Sequence, residues 1–176
     1  MAITSDPVIC LQYLIARSAT FRTWCGITGT EAAMQTAALA RTHPYMIDLD
    51  AIADAAYPAI LVVPARSSYS RQSAGGAGLR ATDAGATLTV YATFSNRDDT
   101  IAVQRAALET FVVNVRALAL DLRNASGSAA SPYAFTRLEE VNDYTIVGSI
   151  DSSDTPRELL AVDIGIAGPP YGSLTI

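Results

Sequence analysis

The segment Asp98–Asn124 constrains this chain more than any other, because it is the longest stretch with a single unambiguous period and strand-like runs stand on both sides of it. At about 3.6 residues per turn, Ile101, Leu108, Phe111, Val112, Val115, Leu118, Ala119 and Leu122 fall within an arc of roughly 120°, interrupted only by Gln104. That is the width of a helix face laid against a core. Asp98 or Asp99 can accept from the unpaired N–H groups of the first turn, Arg123 suits the negative end of the dipole, and Asn124-Ala125-Ser126-Gly127 stops the helix. Val113 and Leu120 form a second apolar line, set apart from the first by Arg105, Glu109, Arg116 and Arg123. One sheet cannot cover both lines.

The flanking runs supply that sheet. Tyr57–Pro64 is a short β-branched run closed by prolines, which suits a buried strand entered and left abruptly. Ala86–Ser95 alternates, with Leu88, Val90, Ala92 and Phe94 on one side and Thr87, Thr89, Tyr91 and Thr93 on the other. Beyond the helix, Phe135–Ile150 holds one strand, Asp151–Pro156 makes a tight loop, and Arg157–Ala167 alternates again and should pair antiparallel with the strand before it. Between the first two strands, Ala65–Gly85 is rich in Ser, Gly, Ala and Arg and reads as a long exposed loop.

Residues 1–56 read as an N-terminal helical region. Asp6-Pro7 opens a helix that runs to about Arg17 or Phe21, with Trp24 packing at its end. Thr30 caps an alanine-rich helix that His43-Pro44 terminates, and Tyr45–Asp50 is a short strand or a turn. Residues 57–167 form the core and 168–176 a C-terminal arm. The sum is a single α+β domain: a four-stranded, mostly antiparallel sheet with the long amphipathic helix packed on one face and the other face open.

Composition narrows the chemistry. The 176 residues carry a net charge of −5 with scattered signs, all twelve basic residues are arginine, and there is no lysine. Tight nucleic-acid binding through phosphate neutralisation therefore has no basic patch to rest on. Without lysine, the phosphate loop ending in Gly-Lys-Ser/Thr, Schiff-base chemistry and lysine-dependent phosphoryl transfer are excluded. Gly75-Gly76-Ala77-Gly78 lacks the strand before it and the helix after it that a dinucleotide site needs. The single histidine, His43, precedes a proline at a helix end, and no serine lies in a nucleophile elbow. The acidic pairs Asp48/Asp50, Glu139/Glu140 and Asp151/Asp154 lack the ligand spacing of a calcium loop. Cys10 and Cys25 have neither disulfide-scaffold nor zinc spacing and read as buried thiols. The expectation is a protein with no catalytic residues, cofactor or metal. Val8–Ala16 is too short for a membrane span and follows an acid, so neither a signal nor an anchor is expected, and the chain should be assembled in the cytoplasm.

What remains are interaction features. Half the residues are hydrophobic and the mean hydropathy is positive, which favours surface hidden by partners. The candidate interface residues are Arg66, Tyr69, Arg71 and Arg80 in the loop, Val113 and Leu120 on the helix, and Tyr171, Leu174 and Ile176 in the arm. Val113 and Leu120 pack either on the N-terminal helix or on a partner.

The order of an N-terminal helix, Tyr57–Pro64, a variable loop, the alternating Thr87–Phe94, a long Arg/Ala/Leu helix and a closing pair ending Leu160-Ala161-Val162-Asp163-Ile164-Gly165-Ile166 resembles the tail terminator proteins of tailed bacteriophages. The resemblance covers most of the chain and rests on the pattern of elements. It implies a structural virion protein that forms a hexameric ring on the last ring of the tail tube. Such a ring stops polymerisation of the tube protein and presents a surface to the head-completion or neck protein. DNA passes through without specific binding, and no catalytic residue is carried over. The alternatives are another head–tail joining protein, such as a neck adaptor, and a small ligand-binding α+β module.

Overall fold

The structure is a computed structural model and describes residues 7–49, 51–64, 68–71, 79–93, 100–125, 140–141, 145–151 and 158–168. Helices α1 (Pro7–Arg17), α2 (Ala19–Trp24) and α3 (Glu31–Leu39) precede strand β1 (Thr42–Pro44) and β2 (Ala59–Pro64). Then follow β3 (Ser68–Arg71), β4 (Leu79–Thr93), α4 (Ile101–Ala125), β5 (Glu140–Val141), β6 (Thr145–Asp151) and β7 (Glu158–Gly168). The four expected strands are present as β2, β4, β6 and β7, paired antiparallel with one another, and the fold is α+β.

Three short strands extend the sheet beyond the four. Thr42–Pro44, expected to end a helix, pairs parallel to β2 and makes the sheet mixed. The run expected as one strand from Phe135 is two among the described residues, β5 and β6, both paired with β7. The third addition corrects the long loop: where composition predicts exposed coil over Ala65–Gly85, β3 pairs antiparallel with the first part of β4. The ladder of the Ala86–Thr93 strand thereby continues backwards to Leu79.

One side of the sheet carries the core. Ile60, Val62, Leu88, Val90, Ala92, Leu160, Val162 and Ile164 are buried there together with Leu11, Leu14, Ile15 and Phe21 of the N-terminal helices and Phe111, Val115, Leu118 and Leu122 of α4. The helix nearest the strands is α1, which lies over β1, β2 and β4 and carries the small buried residues Cys10 and Ala16. Small side chains shorten the distance at which a helix can approach a sheet. Tyr13, expected within the apolar pattern, is instead on the outer side of α1 and 40% exposed.

The opposite side is not open throughout. Tyr57, Ala59 and Leu159 are buried there under Ile47, Leu49 and Ile52, with Tyr91 packed against them. The segment is tied down by Arg41, whose Nη1 and Nη2 donate to the carbonyls of Tyr57 (2.8 Å) and Ala55 (2.9 Å), and by the Tyr57 hydroxyl, which donates to Leu49 O (3.2 Å). Further along, Thr89 Oγ1 donates to Asp163 Oδ1 across the β4–β7 pair (2.5 Å).

The helices are joined by polar contacts at their ends. Ser18 breaks the N-terminal helix in two: its Oγ accepts from Phe21 N (3.1 Å) and donates to Asp121 Oδ2 (2.7 Å), which also accepts from Thr20 N (3.1 Å). Asp121 of α4 thereby caps α2 from outside. Burial alone would raise the Asp121 carboxyl, but these hydrogen bonds outweigh it and hold the group below its ordinary value. The α2 C-terminus closes on Gly26, at φ +65°, with Gly26 N donating to Thr23 O and Ile27 N to Arg22 O. The expected cap at Thr30 is present, accepting from Ala33 N. Buried Arg22 donates through Nε to Ala16 O (2.6 Å) and through both Nη atoms to Glu31 (2.8 and 2.9 Å), so one guanidinium joins the ends of α1, α2 and α3.

Replacing Arg22 by Ala should lower unfolding stability by about 2 kcal/mol, because it orphans a buried carbonyl, whereas Glu31→Gln should cost less, because the amide oxygen can still accept from Arg22 and residue 31 is itself exposed. Asp121→Asn should cost about 1 kcal/mol at neutral pH. The Asp121 contribution is fully present above the ordinary carboxylate pKa of about 3.9 and is lost as pH falls through the lower folded value. Urea unfolding at pH 7 and in steps below pH 4 should therefore show the wild type converging on Asp121→Asn in acid.

Candidate functional site

Burial shifts several titratable side chains of the described part from their ordinary values. Burial pushes the Cys25 thiol up to about 11, with the charge and hydrogen bond of Arg41 only partly opposing it, so a thiolate is not available at neutral pH. Cys10 is fully buried. His43 lies half-buried in β1 and is held below its ordinary value by desolvation, which leaves it neutral. Tyr91 is raised, first by burial and then by the charge of Asp163. Among the described residues no group of three or more His, Cys, Asp or Glu side chains converges on a metal position, and no helix is long and apolar enough to cross a membrane.

Ile101, Val103, Val113 and Leu120 of α4 are exposed, as are Ile9 and Tyr13 of α1. Phe111, Val115, Leu118 and Leu122 are buried, and Leu108, Val112 and Ala119 are half-buried, as the expected arc requires. Val113 and Leu120 remain 65% and 58% exposed, on the side about 180° from the buried four. The N-terminal helix therefore does not cover them: α1 and α2 meet α4 on its core side. The Arg105–Glu109 ion pair (2.9 Å) lies in the surrounding polar band, and Arg116 and Arg123 are exposed there too.

The first half of α4 departs from the expected arc. Ile101 is 82% exposed although its wheel position faces the core. The twenty-five helical residues span about 37 Å, and about ten residues into them the ring of Trp24 meets Phe111 edge-on at 5.8 Å. Ahead of that contact, Val103, Ala106 and Ala107 line one wall of an open groove of about 460 Å³. Trp24, Phe111 and Ala92 complete its apolar lining, with Thr93 and Thr110 as polar members. A second, more polar hollow of about 580 Å³ continues on the other side of Trp24 toward Thr20, Thr23 and Asn114.

A third exposed apolar feature is at the β1 edge. Tyr45, with φ +66°, donates its N–H to Val62 O (3.0 Å), and the turn it makes leaves the Tyr45 and Met46 side chains 51% and 83% exposed. Sequence reasoning missed this pair and the groove. Both had a signal: Val103 breaks the single-face pattern of the helix, and Tyr45-Met46 follow a proline in a segment with no period of its own.

Of the candidate interface residues, Val113 and Leu120 are exposed on α4. Tyr69 and Arg71 lie in β3 and Arg80 in β4, opposite Ser70, so their backbone belongs to paired strands rather than to a loop. Arg66, Tyr171, Leu174 and Ile176 lie outside the described residues, as do the caps expected at Asp98 or Asp99. Comparison with protein families finds no family model that matches the chain, and comparison with curated proteins finds no significant match.

Truncating the outer line should leave the isolated fold intact. Val113→Ser and Leu120→Ser should each change stability by less than about 0.5 kcal/mol, whereas Val115→Ala should cost about 1–2 and Leu118→Ala about 2–4 kcal/mol. Thermal unfolding of the four variants at low concentration separates the two faces.

Proposed function

We propose that this chain is a virion joint of the tail-terminator kind: a structural protein whose copies close into a ring on the end of the tail tube, stop its growth and meet the neck of the head. The observation that carries the reading is the outer apolar line of α4, with Val113 and Leu120 exposed on a helix whose other side is already filled. A solitary globule gains nothing from such a line, and a neighbouring subunit covers it. Two further features support the assignment. The order of elements resembles that family, and the acidic total charge suits a channel that DNA slides through without adhering.

Ring closure needs a heterologous contact, in which one patch of each subunit meets a different patch of the next. The chain offers candidates for both halves: the outer line of α4, and the partly uncovered sheet face around Leu61, Val63, Thr87 and Thr89, all half-buried. The paired strands β3 and the first part of β4 extend the sheet past its last β2–β4 partner pair at Pro64 and Ala86. In this reading, that extension, with Arg71 and Arg80 in its backbone, meets the tail tube. A head–tail adaptor would share the ring and differ in which protein meets which face.

Negative-stain imaging of purified protein should show closed six-fold rings, and adding the protein to a tube-assembly reaction should cap tube length. Removing Ser70–Arg80 should leave the rings and abolish capping. Rings absent at every concentration, or tubes that grow unchecked in the presence of intact rings, would contradict the proposal.

A further inference from the structure

We infer that the β1 edge of the sheet is a strand-addition site held shut by the chain itself, with Gln12 of α1 and the turn at Tyr45-Met46 occupying the backbone groups that a strand from another copy would use. The inference goes beyond the ring reading and stands whether or not the copies close a ring. β1 is an outermost strand, paired among the described residues with β2. An edge strand of this kind offers its outward N–H and C=O groups as a template for another chain.

The bonds to β2 fix which groups point outward. Arg41 O accepts from Ile60 N (2.9 Å) and Tyr45 N donates to Val62 O (3.0 Å), so residues 41 and 45, and by alternation His43 between them, turn their backbone groups to β2. Thr42 and Pro44 turn theirs away. Of those outward positions, Thr42 O accepts from Gln12 Nε2 (3.0 Å), Pro44 has no N–H, and Pro44 O accepts from Met46 N (2.8 Å). The remaining one, Thr42 N–H, belongs to a residue that is 5% exposed, and Thr42 Oγ1 is itself held between Gln12 Nε2 (3.1 Å) and Leu39 O (2.9 Å). Tyr45, at φ +66°, ends the strand immediately afterwards. Gln12 comes from the helix that packs on β1 and β2, so the guard is fixed by the same contact that fills the core. Copies of this chain that meet through their sheets therefore do not meet at β1, and open-ended sheet growth from that edge is blocked.

Gln12→Met removes the side-chain donor at similar length, and Pro44→Val restores an outward N–H at an exposed position. The double variant should keep the wild-type circular dichroism when dilute and form intermolecular sheet, read by thioflavin T, at a concentration at least about tenfold below any at which the wild type does so. Its amide at position 44 should exchange freely in the dilute protein and become protected in the assemblies. Pro44→Val alone, with Gln12 in place, should associate no more than the wild type. A folded double variant that associates no more than the wild type, or assemblies in which the amide at position 44 stays unprotected, overturns the inference. If the double variant loses its fold, Pro44→Val alone decides: an amide at position 44 that becomes protected as this variant is concentrated shows the edge open despite Gln12 and overturns the inference, and one that keeps exchanging upholds it. Neither outcome bears on whether wild-type copies close a ring.

Discussion

A helix layer can fill one face of a sheet, and here that layer is set by a single contiguous core in which α1 and α4 share the strands' inner face. Everything else follows from how that layer is closed. α1 lies over β1, β2 and β4, and α4 packs on the same core through Phe111, Val115, Leu118 and Leu122. The ends of the helices are then fixed by two polar joints, Asp121 with Ser18 and Thr20, and Arg22 with Ala16 and Glu31. Both joints satisfy helix-terminal groups that would otherwise be buried without partners. The arrangement consumes the inner stripe of α4 and leaves its outer line and its first turns to solvent.

Much of this was legible in the sequence where a period was clean. The alternation of Leu88, Val90 and Ala92, that of Leu160, Val162 and Ile164, and the inner stripe of α4 all translate directly into buried positions. The Thr30 cap is a local signal and was equally readable. What was not legible depends on neighbours distant in the chain. That Thr42–Pro44 would pair with β2 is decided by Gln12, whose Nε2 donates to Thr42 O (3.0 Å) and Oγ1 (3.1 Å), and by the docking of α1 beside it. The strand pair within Ala65–Gly85 is invisible to composition because Ser, Ala and Arg carry no core signal. The cover over Ala59 and Leu159 comes from Ile47, Leu49 and Ile52, spaced too irregularly to announce a buried side.

The exposed apolar features were half legible. Val113 and Leu120 stand out on any helical wheel, and the structure leaves them uncovered. The groove at Trp24 needed the structure, since it arises from α4 outrunning the contact between Trp24 and Phe111. An outer apolar line, an apolar groove and the exposed Tyr45–Met46 pair lie on different parts of one chain, and a closed assembly with unlike contacts can bury all three, whereas a simple two-fold pair repeats one patch only.

The claim on which the account turns is that these surfaces are covered by other copies of the chain. Sedimentation equilibrium of the purified protein over a wide concentration range measures this without assuming a geometry. The account predicts a limiting mass six times the 18.5 kDa of the chain, approached without a stable species of intermediate size. A single 18.5 kDa species across the whole range would contradict it.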